Sequence, residues 1–295
     1  MRLIQFFLPD QGKRVGLVQG DRVLDITAEE EGIRSGLDLL LQGRTPAGAA
    51  ARAGWLARRF RRRALDWPSL QREPSRQAPR LLSPLDPPEV WGIEGTYAAA
   101  PAAPPEFFFK ATAPRCLGPH AAIFPGDSGG ALAPEAELAV VLSAEGALFG
   151  VTAANDVTAR GLLRRGPAWL AAAKIAQGAC ALGPCLVTPD ELAVEALQIR
   201  CAIQRAGEEI FAGVVNTREL GGGVPEIIRR FGQLGRILPG TVLLTGCGIE
   251  VPEEVRLEAG DRVDVEIQGV GRLSNPVRRP AAPRQRPGTG PAVEA

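Results

Sequence analysis

Apolar and polar positions alternate over the first 27 residues. Arg2-Leu3-Ile4-Gln5-Phe6-Phe7 runs into a polar turn at Asp10-Gln11-Gly12-Lys13, Val15-Gly16-Leu17-Val18 runs into Gly20-Asp21, and Val23-Leu24-Asp25-Ile26 follows. The spacing predicts a meander of short strands. Over residues 33–66 the period lengthens, and Ile33, Leu37, Leu40 and Leu41, then Trp55, Leu56, Phe60 and Leu65, predict two short helices. Residues 69–88 are polar and carry Pro74, Pro79, Pro84, Pro87 and Pro88, the composition of a linker. From Val90 onward short apolar runs alternate with Gly and Pro. They are Phe107–Phe109, Leu138–Leu142, Leu148–Val151, Leu182–Val187, Val194–Ile203, Val242–Leu244 and Val263–Ile267. Helical spacing recurs near Val224–Leu238 and over Leu162–Ala176. The pattern divides the chain into a small N-terminal domain (1–68), a linker (69–88), a larger domain (89–278) and a Pro/Arg/Gly-rich tail (279–295) expected to be disordered.

Composition sharpens this to an α+β, β-rich fold. The 295 residues are 45% apolar and 23% charged, with 35 glycines and 26 prolines, rich in turns but not of low complexity. Lys and Arg (34) nearly balance Asp and Glu (33), a net charge of +1 that argues against a nucleic-acid partner. The basic run Arg58–Arg63 reads as a solvated helix face. No stretch has the length of apolar sequence a membrane helix needs, and the N-terminus has too short an apolar core for a signal peptide. Five cysteines without a Cys-x-x-Cys pair are expected to be reduced thiols in the cytoplasm. The single histidine, His120, follows Gly118-Pro119 and reads as a loop residue, which removes most Ser-His-Asp or Cys-His chemistry.

Chemistry concentrates in Pro134-Glu135-Ala136-Glu137-Leu138-Ala139-Val140-Val141-Leu142. On a strand, residues two apart share a face, so Glu135 and Glu137 set two carboxylates side by side. Like charges at an apolar strand call for a cation or a proton between them, and a hard divalent ion such as Mg²⁺ or Mn²⁺ meets that need. Taken alone, the pattern equally describes an edge strand with two solvated glutamates. Asp156, past the next apolar run, is either a helix N-cap or a third carboxylate for such a site. Lys174, in an apolar stretch, is either a snorkelling side chain or a base or carboxylate-binding cation.

In this order the segments resemble the fumarylacetoacetate hydrolase superfamily. The resemblance is carried by Glu135-Ala136-Glu137-Leu138-Ala139-Val140-Val141, Asn155-Asp156-Val157-Thr158-Ala159-Arg160, and Lys174 with Cys180-Ala181-Leu182-Gly183-Pro184. It continues through Leu238–Ile249, Gly260-Asp261 and Gly271–Val277. Phe107–Thr112 and Thr245–Ile249 look most like the branch of 2-keto-3-deoxy sugar-acid dehydratases. The resemblance implies a mixed β-roll catalytic domain behind a small N-terminal strand/helix domain, working as a homodimer. It implies Mg²⁺ or Mn²⁺ held by Glu135, Glu137 and Asp156, a small 2-oxo carboxylate substrate, and Lys174 as the catalytic residue. Lys110, Thr245, Gly246 and Cys247 stand where the resemblance implies substrate binding.

The family's lid follows Val90-Trp91-Gly92-Ile93, and its hydrolases place a His/Glu pair there; neither residue occurs between Tyr97 and Pro105 in this chain. The expected reaction is therefore dehydration or another lyase-type step through a metal-stabilised enolate. Two other readings are a catalytically degenerate member acting as a binding or assembly partner, and an acylpyruvate hydrolase drawing on His120.

Overall fold

The computed structural model describes residues 1–59, 64–97, 106–124, 131–176 and 178–279. Strands β1 (Arg2–Leu8), β2 (Gly12–Gln19) and β3 (Arg22–Asp25) form the antiparallel meander that the alternation predicts. Helices α1 (Gly36–Gly43) and α2 (Pro46–Arg59) follow. The Ser35 hydroxyl accepts from the Asp38 amide while the Asp38 carboxylate accepts from the Ser35 amide, a reciprocal cap that fixes the start of α1. Strand β4 (Leu65–Asp66) and helix α3 (Trp67–Leu70) close this part.

Residues 69–88 are more than the spacer expected from their prolines. Strand β5 (Arg80–Leu81) pairs with β1, and Leu81 and Leu85 are buried. The buried Gln5 side chain ties the segment down, donating to the Ser83 carbonyl at 2.7 Å and accepting from the Gly36 amide at 2.8 Å. Proline removes donors only at its own positions, and the intervening apolar residues pack.

Beyond it come β6 (Val90–Ile93), β7 (Phe107–Ala111), β8 (Cys116–Leu117), β9 (Leu132–Ala133), β10 (Ala136–Leu142), β11 (Leu148–Asp156) and β12 (Thr158–Ala159). Helices α4 (Arg160–Leu163) and α5 (Leu170–Lys174) lead to β13 (Cys180–Val187). The chain then forms β14 (Gln198–Arg205), β15 (Glu208–Asn216), α6 (Gly223–Gly232), β16 (Val242–Leu244), β17 (Arg262–Ile267) and β18 (Gly271–Pro276). Three expectations need correction. The helix expected over Leu162–Ala176 is two short helices, because Gly166, at φ +114°, and Pro167 break it. The helix expected to reach Leu238 ends at Gly232. The run Val194–Ile203 becomes extended only from Gln198, since the Thr217 hydroxyl binds the Val194 carbonyl and the Leu197 amide.

The described strands build a twelve-stranded sheet in the order β4-β3-β2-β1-β13-β11-β10-β16-β6-β7, with β5 beside β1 and β8 beside β13. A four-stranded sheet, β15-β14-β17-β18, and a small β12-β9 pair complete it. The N-terminal strands thus join the main sheet, where Arg2 stands opposite Val187. At its centre, β10 is buried on both faces, which is why its sequence reads as an apolar run rather than an alternation. Leu138, Val140 and Leu142 face one core, shared with β14 and β17; Ala139 and Val141 face the other, shared with Leu39, Leu40 and Leu56 of α1 and α2. Of the tail, residues 280–295 lie outside the described residues. No helix among the described residues is long and apolar enough to cross a membrane.

Phe149 of β11, fully buried in the second core, is a large side chain on the strand that ends at Asp156. Phe149→Ala is expected to lower stability by about 3–5 kcal/mol, read as a lower urea midpoint at unchanged slope.

Candidate active site

The register of β10 against β11 assembles the site. Ala136 stands opposite Asn155 and Glu137 opposite Ala154, and the Asp156 amide donates to the Glu135 carbonyl at 2.9 Å. The ladder therefore sets Glu135, one residue ahead of the strand, directly across from Asp156. Opposed residues share a face, as do residues two apart, so all three carboxylates point to the same side. One oxygen from each lies within 4.8 Å of the others. Ala154, opposite Glu137, is small and fully buried. Glu137 and Asp156 are buried, and Glu135 is largely so.

Positive charge is supplied from two directions. Lys174, the last residue of α5, sends Nζ to Glu135 Oε2 at 2.6 Å and to Asp156 Oδ2 at 3.1 Å, above the face of Phe108. Lys110 of β7, fully buried, ion-pairs with Asp156 Oδ1 and donates to the Val157 carbonyl at 3.0 Å. The remaining carboxylate, Glu137, accepts from the Gly246 amide at 2.6 Å. Gly246 sits at φ +90°, and a Cβ there would lie 2.1 Å from Thr96 Oγ1, so the close approach requires glycine.

Burial first, then the neighbouring Asp156 and Glu135, push the Glu137 carboxyl well above its ordinary range. Glu135 is raised too, by burial and by Asp156, against the opposing pull of Lys174. Burial pulls the Lys174 ammonium down, but Asp156, Glu135 and Glu137 more than offset this, and it is held protonated. Raised carboxyls clustered on one face are what a divalent cation relieves, so the oxygen donor set fits a hard ion such as Mg²⁺ or Mn²⁺.

A cavity of about 260 Å³ opens over this centre, lined in part by Glu135, Glu137, Lys174 and Cys247. The residues expected to touch substrate divide. Cys247 lines the cavity, its Sγ donating to the Ile249 carbonyl at 3.3 Å. Gly246 serves through its amide on Glu137. Thr245 and Lys110 depart from expectation, for neither lines the cavity. The Thr245 hydroxyl turns into β10, donating to the Leu138 carbonyl at 2.9 Å, and Lys110 stands behind Asp156, drawn there by its charge. His120 also stands apart, its Nε2 3.0 Å from the Gln71 carbonyl in a separate cavity with Arg262, Arg272 and Ser274, which removes the basis for a hydrolase built on it. Of the expected lid, residues 94–105, residues 98–105 lie outside the described residues.

Sequence reasoning gave no role to two residues that line the site. Glu94 places Oε1 3.9 Å from Lys174 Nζ, and Arg160 of α4 donates through Nη1 to the Val251 carbonyl at 2.6 Å. Arg160 was visible as the end of the Asn155–Arg160 segment; Glu94 had only the signal of an acid closing an apolar run.

Residues 93–278, more than half of the chain, match the fumarylacetoacetate (FAA) hydrolase C-terminal family, and the protein belongs to that family. Over 223 residues, 68% of this chain and 75% of the relative, it is 36% identical to a 2-dehydro-3-deoxy-D-arabinonate dehydratase of Saccharolobus solfataricus. Over 214 residues, 66% of this chain and 73% of the relative, it is 34% identical to a probable 2-keto-3-deoxyxylonate dehydratase of Haloferax volcanii. Its fold is similar to that of a 2-keto-3-deoxy-D-arabinonate dehydratase complexed with magnesium and 2,5-dioxopentanoate. That similarity has a TM-score of 0.79 at 29% identity, covering 96% of this chain and 100% of that one.

The raised carboxyls give the metal-free protein a definite pH response. In the folded state Glu137 keeps its proton at a pH where the unfolded chain, with an ordinary value of 4.5, has lost it. The folded state then binds more protons, so its stability falls as pH rises. Chelator-treated protein is therefore expected to melt at higher temperature at about pH 5.5 than at about pH 7. In Glu137→Gln this rise is expected to shrink, which calorimetric scans of the two proteins would show.

Proposed function

We propose that this protein is a Mg²⁺- or Mn²⁺-dependent dehydratase of a small 2-keto-3-deoxy sugar acid. The observation that carries the reading is the carboxylate triad with Lys174 bonded into it, under a cavity sized for a small acid. The relatives named above support the substrate class. Glu135, Glu137 and Asp156 would hold the ion, which when bound supplies a Lewis acid for the charge that develops on a 2-oxo group. Lys174, fixed by helix α5, presents an ammonium beside the triad for the substrate's carboxylate or ketone oxygen. Arg160, its guanidinium tethered to the Val251 carbonyl, adds a second cation at the wall. Lys110 and the Gly246 amide orient Asp156 and Glu137, so the ligands are set before substrate arrives.

With its ion restored, metal-stripped protein is expected to convert a 2-keto-3-deoxypentonate to 2,5-dioxopentanoate, followed by an aldehyde-specific coupled assay. Glu137→Gln is expected to lose at least about a hundredfold in kcat/KM and most of its metal affinity in titration calorimetry. Wild-type protein that takes up no metal, or binds it without turnover, would overturn the reading, the second outcome favouring a degenerate binding protein.

The protein is also proposed to work as a homodimer in a reducing compartment, the cytoplasm. Five free cysteines support the compartment. Strand β15, at the edge of its sheet, supports the dimer, since it exposes Val214 (54%) and Ile210 (38%). Sedimentation velocity is expected to give twice the 31.2 kDa chain mass, and Val214→Glu to shift the population to monomer.

A further inference from the structure

Two of the five free cysteines stand side by side next to the carboxylate cluster. Strand β8 pairs in parallel with β13, and their register puts Cys116 opposite Cys180, with the two Sγ atoms 4.0 Å apart. On its other side β13 pairs with β11, and there Cys180 stands opposite Asp156. Asp156, Cys180 and Cys116 therefore form one row across three strands, and residues opposed in this way share a face. Neither cysteine lines the cavity over the acids, so the pair flanks the centre without being part of it.

The two thiols differ in access. Cys180 is buried, whereas Cys116 is half-buried on a two-residue strand that pairs with β13 at the side of the main sheet. A small molecule can thus reach Cys116, and Cys180 can react only through Cys116. The segment that carries Cys116 is also tied toward both lysines of the centre. Cys116 Sγ donates to the carbonyl of Thr112, two residues beyond Lys110, at 3.5 Å. The adjoining Arg115 donates through Nη1 at 3.0 Å to the carbonyl of Ile175, the residue after Lys174. A movement of β8 toward β13 is therefore transmitted to Asp156, Lys110 and Lys174 together.

We propose that Cys116 and Cys180 are a redox modification site for hydrogen peroxide, and that their disulfide weakens the hold of Glu135, Glu137 and Asp156 on a divalent ion. The second half rests on the metal reading given above. The Cys116 sulfur attacks one peroxide oxygen, the O–O bond breaks, and the departing hydroxide leaves as water with the proton the thiol gave up. Cys116 is then a sulfenic acid. The Cys180 sulfur attacks that sulfur, the S–O bond breaks, and the second hydroxide leaves as water with the Cys180 proton. Two thiols have lost two electrons between them, and one peroxide has become two waters. The sulfurs must close to about 2 Å. Because β13 is buried along its whole length, the short strand β8 makes the move and pulls on the bonds to Thr112 and Ile175. Disturbing the partners that orient metal ligands costs about 10–100-fold in metal affinity. A thiol reductant returns both cysteines to the resting state of a reducing compartment.

Two measurements on the full chain test the two halves. After stoichiometric hydrogen peroxide, peptide mapping by mass spectrometry is expected to recover Cys116 and Cys180 in one cross-linked pair of peptides, separated again by dithiothreitol. Titration calorimetry with Mg²⁺ is expected to give the oxidised wild type a Kd about tenfold or more above that of the reduced protein, with reduction restoring it. Cys116→Ser is expected to bind Mg²⁺ within about twofold of reduced wild type, which also reports that it folds, and to show no response to peroxide. Cys180→Ala is expected to lose the response as well. A map without the Cys116–Cys180 link would overturn the proposal, as would linked protein that binds Mg²⁺ as tightly as before. So would a loss of affinity that persists in Cys116→Ser and disappears in Cys247→Ala, which places the oxidation at the thiol in the cavity. Reduced wild type that takes up no Mg²⁺ would remove the metal reading and the coupling with it, while the peptide map still decides the disulfide on its own.

Discussion

Three carboxylates on one face of a buried strand pair are the constraint around which this molecule is arranged. Desolvating like charges together is costly, and each must be met by a cation or a hydrogen-bond donor. Asp156 is held between the ammoniums of Lys110 and Lys174, and Glu137 by a backbone amide that only a glycine can bring so close. These partners come from β7, from the end of α5 and from the segment after β16. The constraint therefore reaches well beyond the two strands that carry the acids.

The sheet meets it through register. Because Glu135 faces Asp156 across the antiparallel ladder, a slip of one residue would turn the acids toward the opposite core. Burial of β10 on both faces locks against such a slip, since Leu138 and Val140 fill one core while Ala139 and Val141 fill the other. The packing that makes the centre strand stable is the same packing that aims its carboxylates.

Local signals were legible in the sequence. The alternation of Leu3, Ile4 and Phe6 against Val15 and Leu17 marked the meander, and the Glu135–Leu142 run with Asp156 and Lys174 marked the acidic centre. What was not legible depended on pairing over long distances. Thr245 and Lys110 sit in segments that look substrate-facing, yet the Thr245 hydroxyl is claimed by the Leu138 carbonyl and the Lys110 ammonium by Asp156. Leu81 in the proline-rich stretch found a strand partner in Phe6, more than seventy residues away, which no local composition reveals. Glu94 and Arg160 were hidden for a similar reason. One closes an apolar strand and the other opens a four-residue helix, and only the fold brings both to the cavity wall.

The two lysines also set how the centre trades a proton for an ion. With Glu137 protonated, Glu135 and Asp156 balance Lys110 and Lys174, and the bare cluster carries no net charge. A divalent ion held by all three carboxylates would displace the Glu137 proton and leave the cluster one unit positive. Ion uptake is thus linked to proton release, and acid weakens it.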